Sequence, residues 1–211
     1  MEKQTEGFDQ DKRRLDKNSL LWVLLGIIIV SIAGINLWSV FNKTPEPTPT
    51  VADASVPDFN LTNQQGDSLG LSDMAGKIWV ADFIFTYCPT ICPAMTLEMA
   101  RLQSEFVTEP VYFVSFSVDP ERDTPDVLFR YAAQYGADER RWSFLTGEKE
   151  HIYQLAQKGF KLAAGHPGTE LLHSTRFVLI APDGKIHGRY DSRSKAALAR
   201  LRRDINTLLG K

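Results

Sequence analysis

Cysteine is nearly missing from this chain: 211 residues contain only two, Cys88 and Cys92, too few for a disulfide framework to carry the fold. A positive excess is missing too. With 24 Lys and Arg against 26 Asp and Glu, the formal net charge is -2, so no basic surface exists to neutralise phosphates and nucleic acid is excluded as a partner. Internal repeats are absent, which excludes a solenoid, and the length suits one ordinary domain with additional segments.

What is present first is a long apolar run. Leu20 to Val40 reads LLWVLLGIIIVSIAGINLWSV without a formal charge, matching the ~20 residues that span a bilayer. Lys3, Lys12, Arg13, Arg14 and Lys17 precede it, while Lys43 alone flanks it downstream. The positive-inside rule then keeps residues 1–19 in the cytoplasm and exports the chain beyond the anchor at 20–41. A cleaved signal peptide competes, but its apolar core is normally only ~7–15 residues long. Glu2, Glu6, Asp9 and Asp11 argue against a mitochondrial transit peptide. The expected location is a bacterial inner membrane, crossed once, with the C-terminal domain in the periplasm. Residues 42–55 carry Pro45, Pro47 and Pro49 among small polar residues, the composition of an extended spacer.

The globular part occupies 56–211. Lys77–Phe85 is a nearly continuous apolar run of strand length, as in a strand buried on both faces, and Val111–Val118 is a second one. Thr96–Val107 has a helical pattern, and Thr124-Pro125 opens another helix that Gly136 ends. Short strands are expected at Phe59–Leu61, Ser68–Leu71 and Trp142–Leu145, and a helix at about Glu148–Lys158. Strands at Thr175–Ala181 and Lys185–Tyr190 around the Pro182-Asp183-Gly184 turn, then a helix from about Ser194, close the chain. The order predicts an α/β fold, a thioredoxin-like central sheet flanked by helices and preceded by one transmembrane helix.

Both cysteines fall in Tyr87-Cys88-Pro89-Thr90-Ile91-Cys92-Pro93, after the most apolar strand and before a helix. Free N–H groups and the helix dipole at such a junction favour thiolate, so both sulfurs are expected to ionise readily and to face one exposed spot. Three readings stand. A structural disulfide would close too small a loop to restrict the unfolded chain much. A redox dithiol is stronger, although three residues separate the pair instead of the usual two. A metal site is the third, since two soft thiolates select Cu(I) or zinc and require at least one further ligand.

Of the four histidines, His151, His166 and His187 read as surface or partly packed residues. His173 sits in Leu171-Leu172-His173-Ser174-Thr175, entering the strand Thr175–Ala181. In a thioredoxin-like fold that segment passes beside the cysteine turn and commonly brings a cis-proline; here it brings His173, the candidate third ligand. Met95 and Met99 share a helical spacing that suits apolar packing better than thioether ligation. Asp82 interrupts the buried strand at a cost unless paired, and Arg122 and Asp123 are expected to pair within their loop.

Phe85-Thr86-Tyr87-Cys88-Pro89-Thr90-Ile91-Cys92-Pro93, Ser117-Val118-Asp119-Pro120-Glu121-Arg122-Asp123-Thr124-Pro125, and His173 ahead of Phe177–Gly184 together resemble the Sco/SenC family. The resemblance runs from about Val56 to Gly210. It implies copper, as Cu(I) by preference and Cu(II) as a second state, bound through Cys88, Cys92 and His173. It also implies a role in assembling the binuclear copper centre of cytochrome c oxidase, with an oxidase subunit as recipient and a thiol reductant to keep the pair reduced. Asp119 matches the family's Val-Asp-Pro aspartate, which implies a carboxylate tuning the site from its second shell; a turn cap is the plainer reading. The alternative function is a membrane-anchored thiol-disulfide oxidoreductase. A peroxidase is disfavoured, because Phe85 stands where the peroxiredoxin pattern requires Thr.

Overall fold

The protein is described by a computed structural model, which covers residues 22, 24–32, 34, 55–162 and 174–211. His166, His173 and nearly all of the spacer lie outside the described residues. The chain divides into two compact units, Met1–Pro47 and Thr48–Lys211. In the first unit, residues 22, 24–32 and 34 are helical and exposed. Among the described residues no helix is long and apolar enough to cross a membrane.

In the second unit the strands are β1 (Asn60–Asn63), β2 (Ser68–Gly70), β3 (Ile78–Ile84), β4 (Val111–Ser117), β5 (Trp142–Thr146), β6 (Arg176–Ile180) and β7 (Ile186–Asp191). The helices are α1 (Ile91–Glu105), α2 (Pro125–Gln134), α3 (Lys149–Gln154), which runs on into a π-helical turn at Leu155–Gly159, and α4 (Lys195–Leu208). The strands form one sheet in the order β2-β1-β5-β4-β3-β6-β7. Strands β3, β4 and β5 are parallel, and antiparallel strands extend the sheet on both sides. This is the mixed α/β sheet expected from the alternating pattern.

All seven residues of β3 are buried, since β4 and β6 satisfy its two edges and side chains cover both faces. On one face Phe83 stacks on Phe116 at 4.9 Å between ring centroids, and Phe160 meets both. On the other, Trp142 and Phe144 lie against Phe113 and against Tyr131 of α2. Helix α2 starts where the N-cap-then-Pro rule places it, with Thr124 as cap and Pro125 first, and Gly136 follows its end at φ 65°. Ser194 caps α4 by accepting from the Ala197 N–H at 3.2 Å. Met95 and Met99 are buried in α1, in agreement with the packing reading.

One residue behaves unlike its sequence setting. Gln64 lies in the turn between β1 and β2, yet it is 3% exposed. Its amide donates to the Trp142 carbonyl at 3.0 Å and accepts from the Phe144 N–H at 2.8 Å. Strand β1 pairs with β5 only at Thr62 and Asn63, so the Gln64 side chain completes the β5 edge that β1 leaves uncovered.

Candidate metal and thiol centre

Past Ile84 the β3–β4 ladder makes one more bond, from the Val118 N–H to the Ile84 carbonyl at 2.8 Å. The chain then leaves the sheet through Phe85, Thr86 and Tyr87 to Cys88, whose N–H donates to the Phe85 carbonyl at 3.2 Å. Helix α1 begins at Ile91, five residues earlier than its apolar period predicts, and takes Cys92 and Pro93 into its first turn. Pro93 fits there because N–H groups in the first turn have no helical acceptor.

Both cysteines are free thiols and both are buried, Cys88 at 6% and Cys92 at 5% exposure. The expectation of an exposed pair is therefore corrected: both cysteines belong to the buried hydrophobic core. The two sulfurs also differ electrostatically. Burial opposes ionisation of Cys88, but backbone N–H groups of Cys92, Thr90 and Ile91 converge on its sulfur, the first at 3.4 Å. The net result holds the Cys88 thiol below its ordinary pKa. Cys92 goes the other way. Burial pushes it up strongly, the neighbouring Cys88 and Asp82 charges add to that, and a backbone hydrogen bond from Phe85 only partly offsets them. The expectation that both thiols ionise readily holds for Cys88 alone, because its sulfur takes the helix-start N–H groups.

Asp82 lies on the face of β3 toward Ser115 and Trp142. It is fully buried, neither carboxylate oxygen lies within hydrogen-bond geometry of a partner among the described residues, and burial raises its pKa to about 7, with the nearby Ser115 hydroxyl opposing the rise.

The loop after β4 does not form the expected Arg122–Asp123 pair. Arg122 instead reaches the Asp119 carboxylate at 3.7 Å and lies over the Tyr87 ring. Asp123, fully buried, turns inward and accepts from the Thr86 hydroxyl at 2.5 Å, the Thr86 N–H at 3.1 Å and the Ser117 hydroxyl at 2.5 Å. Asp119 organises the loop, its carbonyl accepting from the Arg122 and Asp123 N–H groups and its own N–H bonding Ser117 Oγ at 3.1 Å. This is a turn role; no hydrogen bond from Asp119 to the cysteine turn is found among the described residues. Asp123 is the residue that sequence reasoning missed. Its only signal was an aspartate two residues before a helix start, which any cap or surface loop would give.

Beside the turn opens a cleft of about 380 Å³, walled by Tyr87 and Pro93 on one side and by Arg130, Tyr131 and Tyr135 on the other. His151 is half-buried on α3 and His187 is exposed on β7, so neither joins the thiols. Among the described residues no group of three His, Cys, Asp or Glu side chains forms a metal site. The two sulfurs suit a soft ion but leave it short of ligands, and His173 lies outside the described residues.

A central mixed sheet with a thiol pair at the junction of an interior strand, β3, and a helix defines a thioredoxin-like protein. A family model described as SCO1/SenC matches residues 47–209, and the chain belongs to that family. It is 42% identical over 141 residues to a SCO1 protein homolog of Bacillus subtilis, covering 64% of this chain and 73% of the relative. A SCO1/SenC family lipoprotein from Bacillus anthracis superposes with a TM-score of 0.70 at 35% identity, over 79% of this chain and 99% of that one. The third is BsSco, described as a member of the Sco family of cytochrome c oxidase assembly proteins with a disulfide switch. It gives a TM-score of 0.67 at 37% identity, over 74% of this chain and 94% of the other. More distant chains of the same fold, ScoI of Arabidopsis thaliana and of Bradyrhizobium japonicum, have been solved with copper bound.

Proposed function

We propose that this protein is a copper carrier, in which Cys88, Cys92 and His173 hold Cu(I) and pass it to a copper-receiving membrane or periplasmic protein, a cytochrome c oxidase subunit. The observation that carries this reading is the buried thiol pair at the strand-to-helix junction, with one sulfur already surrounded by N–H donors. Two thiolates select Cu(I), and the copper bound to relatives of this fold supports copper as the metal. The oxidase as recipient draws its support from the family and from the assembly role stated for BsSco. Cys88 supplies the ready thiolate, and Cys92 gives up its proton as the cation replaces it. The cleft lined by Tyr87 and Tyr135 is the side from which a recipient's ligand enters. No substrate bond changes in ligand exchange, so the protein is a metallochaperone and not an enzyme. Residues 1–19 are cytoplasmic, 20–41 the single membrane anchor and 42–55 a spacer, with 56–211 the periplasmic domain of a bacterial inner-membrane protein.

Anaerobic titration of the reduced full-length protein with Cu(I), followed by X-ray absorption, tests this directly. One copper with two sulfur ligands and one nitrogen is expected. Zinc alone, or no metal while both thiols are free, would reject it.

A second reading, a thiol-disulfide reductase acting on a copper protein's cysteines, is favoured by the unequal thiols, an attacking Cys88 beside a protonated Cys92. His173→Ala separates the two. Copper retention falls in the carrier, whereas a reductase keeps dithiol exchange and its metal binding is incidental.

A further inference from the structure

We infer that Asp123 is the positioning residue of the thiol centre, acting on the sulfurs through Thr86; this deepens the copper reading and rests on it. The Val118 N–H to Ile84 carbonyl bond is the last rung before the chain leaves β3. Thr86, two residues further, therefore has a half-buried N–H that pairs with no strand. Asp123 accepts that N–H with one carboxylate oxygen and the Thr86 hydroxyl with the other, while Ser117 at the end of β4 donates to the first. Three donors on one side chain fix its orientation and, through it, the position of Thr86.

Asp123 is itself held. Its N–H bonds the Asp119 carbonyl at 2.9 Å and the Thr124 N–H bonds the Arg122 carbonyl at 3.0 Å, so the loop that presents it is tight. Its carboxylate thus joins the stem of the cysteine turn, the end of β4 and the loop bearing Asp119. Two residues beyond Thr86 stands Cys88, whose sulfur depends on the Cys92 N–H at 3.4 Å. That contact depends on where the stem places Cys88, and a drift of the stem weakens it. Without Asp123, Pro89 and Pro93 would still shape the turn, but the Thr86 N–H and hydroxyl would lose the acceptor that ties the stem to the loop after β4.

The test uses the full-length protein with Asp123→Ala, Asp123→Asn and Thr86→Val. Cu(I) retention is read by competition with bicinchoninate, and amide hydrogen exchange is read for residues 86–92 against β3 and β4. Asp123→Ala is expected to lower Cu(I) affinity about 10–100-fold, as lost outer-shell partners do, and to speed exchange in 86–92 while β3 and β4 keep their protection. Asp123→Asn restores both, because an amide oxygen still accepts from the Thr86 N–H and Ser117 while its NH2 donates to the Thr86 hydroxyl oxygen. Unchanged retention and exchange in Asp123→Ala overturn the inference. An Asn variant as defective as Ala also overturns it, since charge and not hydrogen-bond geometry would then be at work. Where Asp123→Ala does not fold, Thr86→Val decides, with a smaller loss in the same direction expected and no change refuting. If the unmutated protein retains no copper, the carrier reading fails, and exchange in 86–92 alone decides for or against Asp123.

Discussion

Asp82 makes the sharpest prediction about this molecule's stability. It sits mid-strand in β3, is fully buried, and among the described residues has no hydrogen-bond partner on either oxygen. Burial disfavours the charged form and lifts its pKa from 3.8 to about 7. At about 1.4 kcal/mol per pH unit, that interval amounts to on the order of 4 kcal/mol. The sign comes from proton counting. Between the two values the folded chain keeps a proton that the unfolded chain has lost, so stability falls as pH rises and levels off once the folded group ionises as well. Replacing Asp82 by Asn, of the same shape, or by Leu removes this titration. Urea unfolding of the full-length protein and each variant should show a stability difference that shifts in the variant's favour from pH 4 to pH 7, by on the order of 3–4 kcal/mol, and is flat above about pH 8. The comparison cancels groups common to both chains, such as Asp138, which Arg140 holds down to about 2. A difference independent of pH would refute the reasoning and mean that the carboxylate is solvated or paired.

Iodoacetamide at neutral pH should label Cys88 well before Cys92, read by mass spectrometry of the peptides, because N–H groups outweigh burial at Cys88 and not at Cys92; equal rates would remove the basis for unequal thiols. His173→Ala should lower Cu(I) retention while thiol titre and unfolding midpoint stay unchanged, and unaltered retention would remove His173 from the ligand set. Tyr190→Phe deletes the 2.6 Å hydrogen bond to Asp204 that ties β7 to α4 and should cost about 1–2 kcal/mol in urea unfolding. Gln64→Leu leaves the Trp142 carbonyl and the Phe144 N–H without partners and should cost about 2–4 kcal/mol, two unsatisfied groups; a loss below about 0.5 kcal/mol would show that water replaces the amide.

Much of this fold comes from short-range rules and is legible in the sequence. The apolar runs at Lys77–Phe85 and Val111–Val118 become β3 and β4, Thr124-Pro125 starts α2, and Pro182-Asp183-Gly184 turns between β6 and β7. The placement of both cysteines at a strand-to-helix junction is equally local, as is the apolar run at 20–40. These features depend on burial period, proline's fixed φ and glycine's freedom, which neighbours in sequence settle among themselves. Tertiary structure decided what depends on partners far along the chain. Asp123 finds Thr86 across 37 positions, and Gln64 finds Phe144 across 80. The local pattern Arg122-Asp123 suggested a surface ion pair, but Ser117 at the end of β4 and Thr86 beyond β3 together offer Asp123 three donors, which outweigh one solvated arginine. Sequence also made the two thiols look alike; their difference arises because folding turns the helix-start N–H groups onto Cys88 and sets Cys92 in the interior near Asp82.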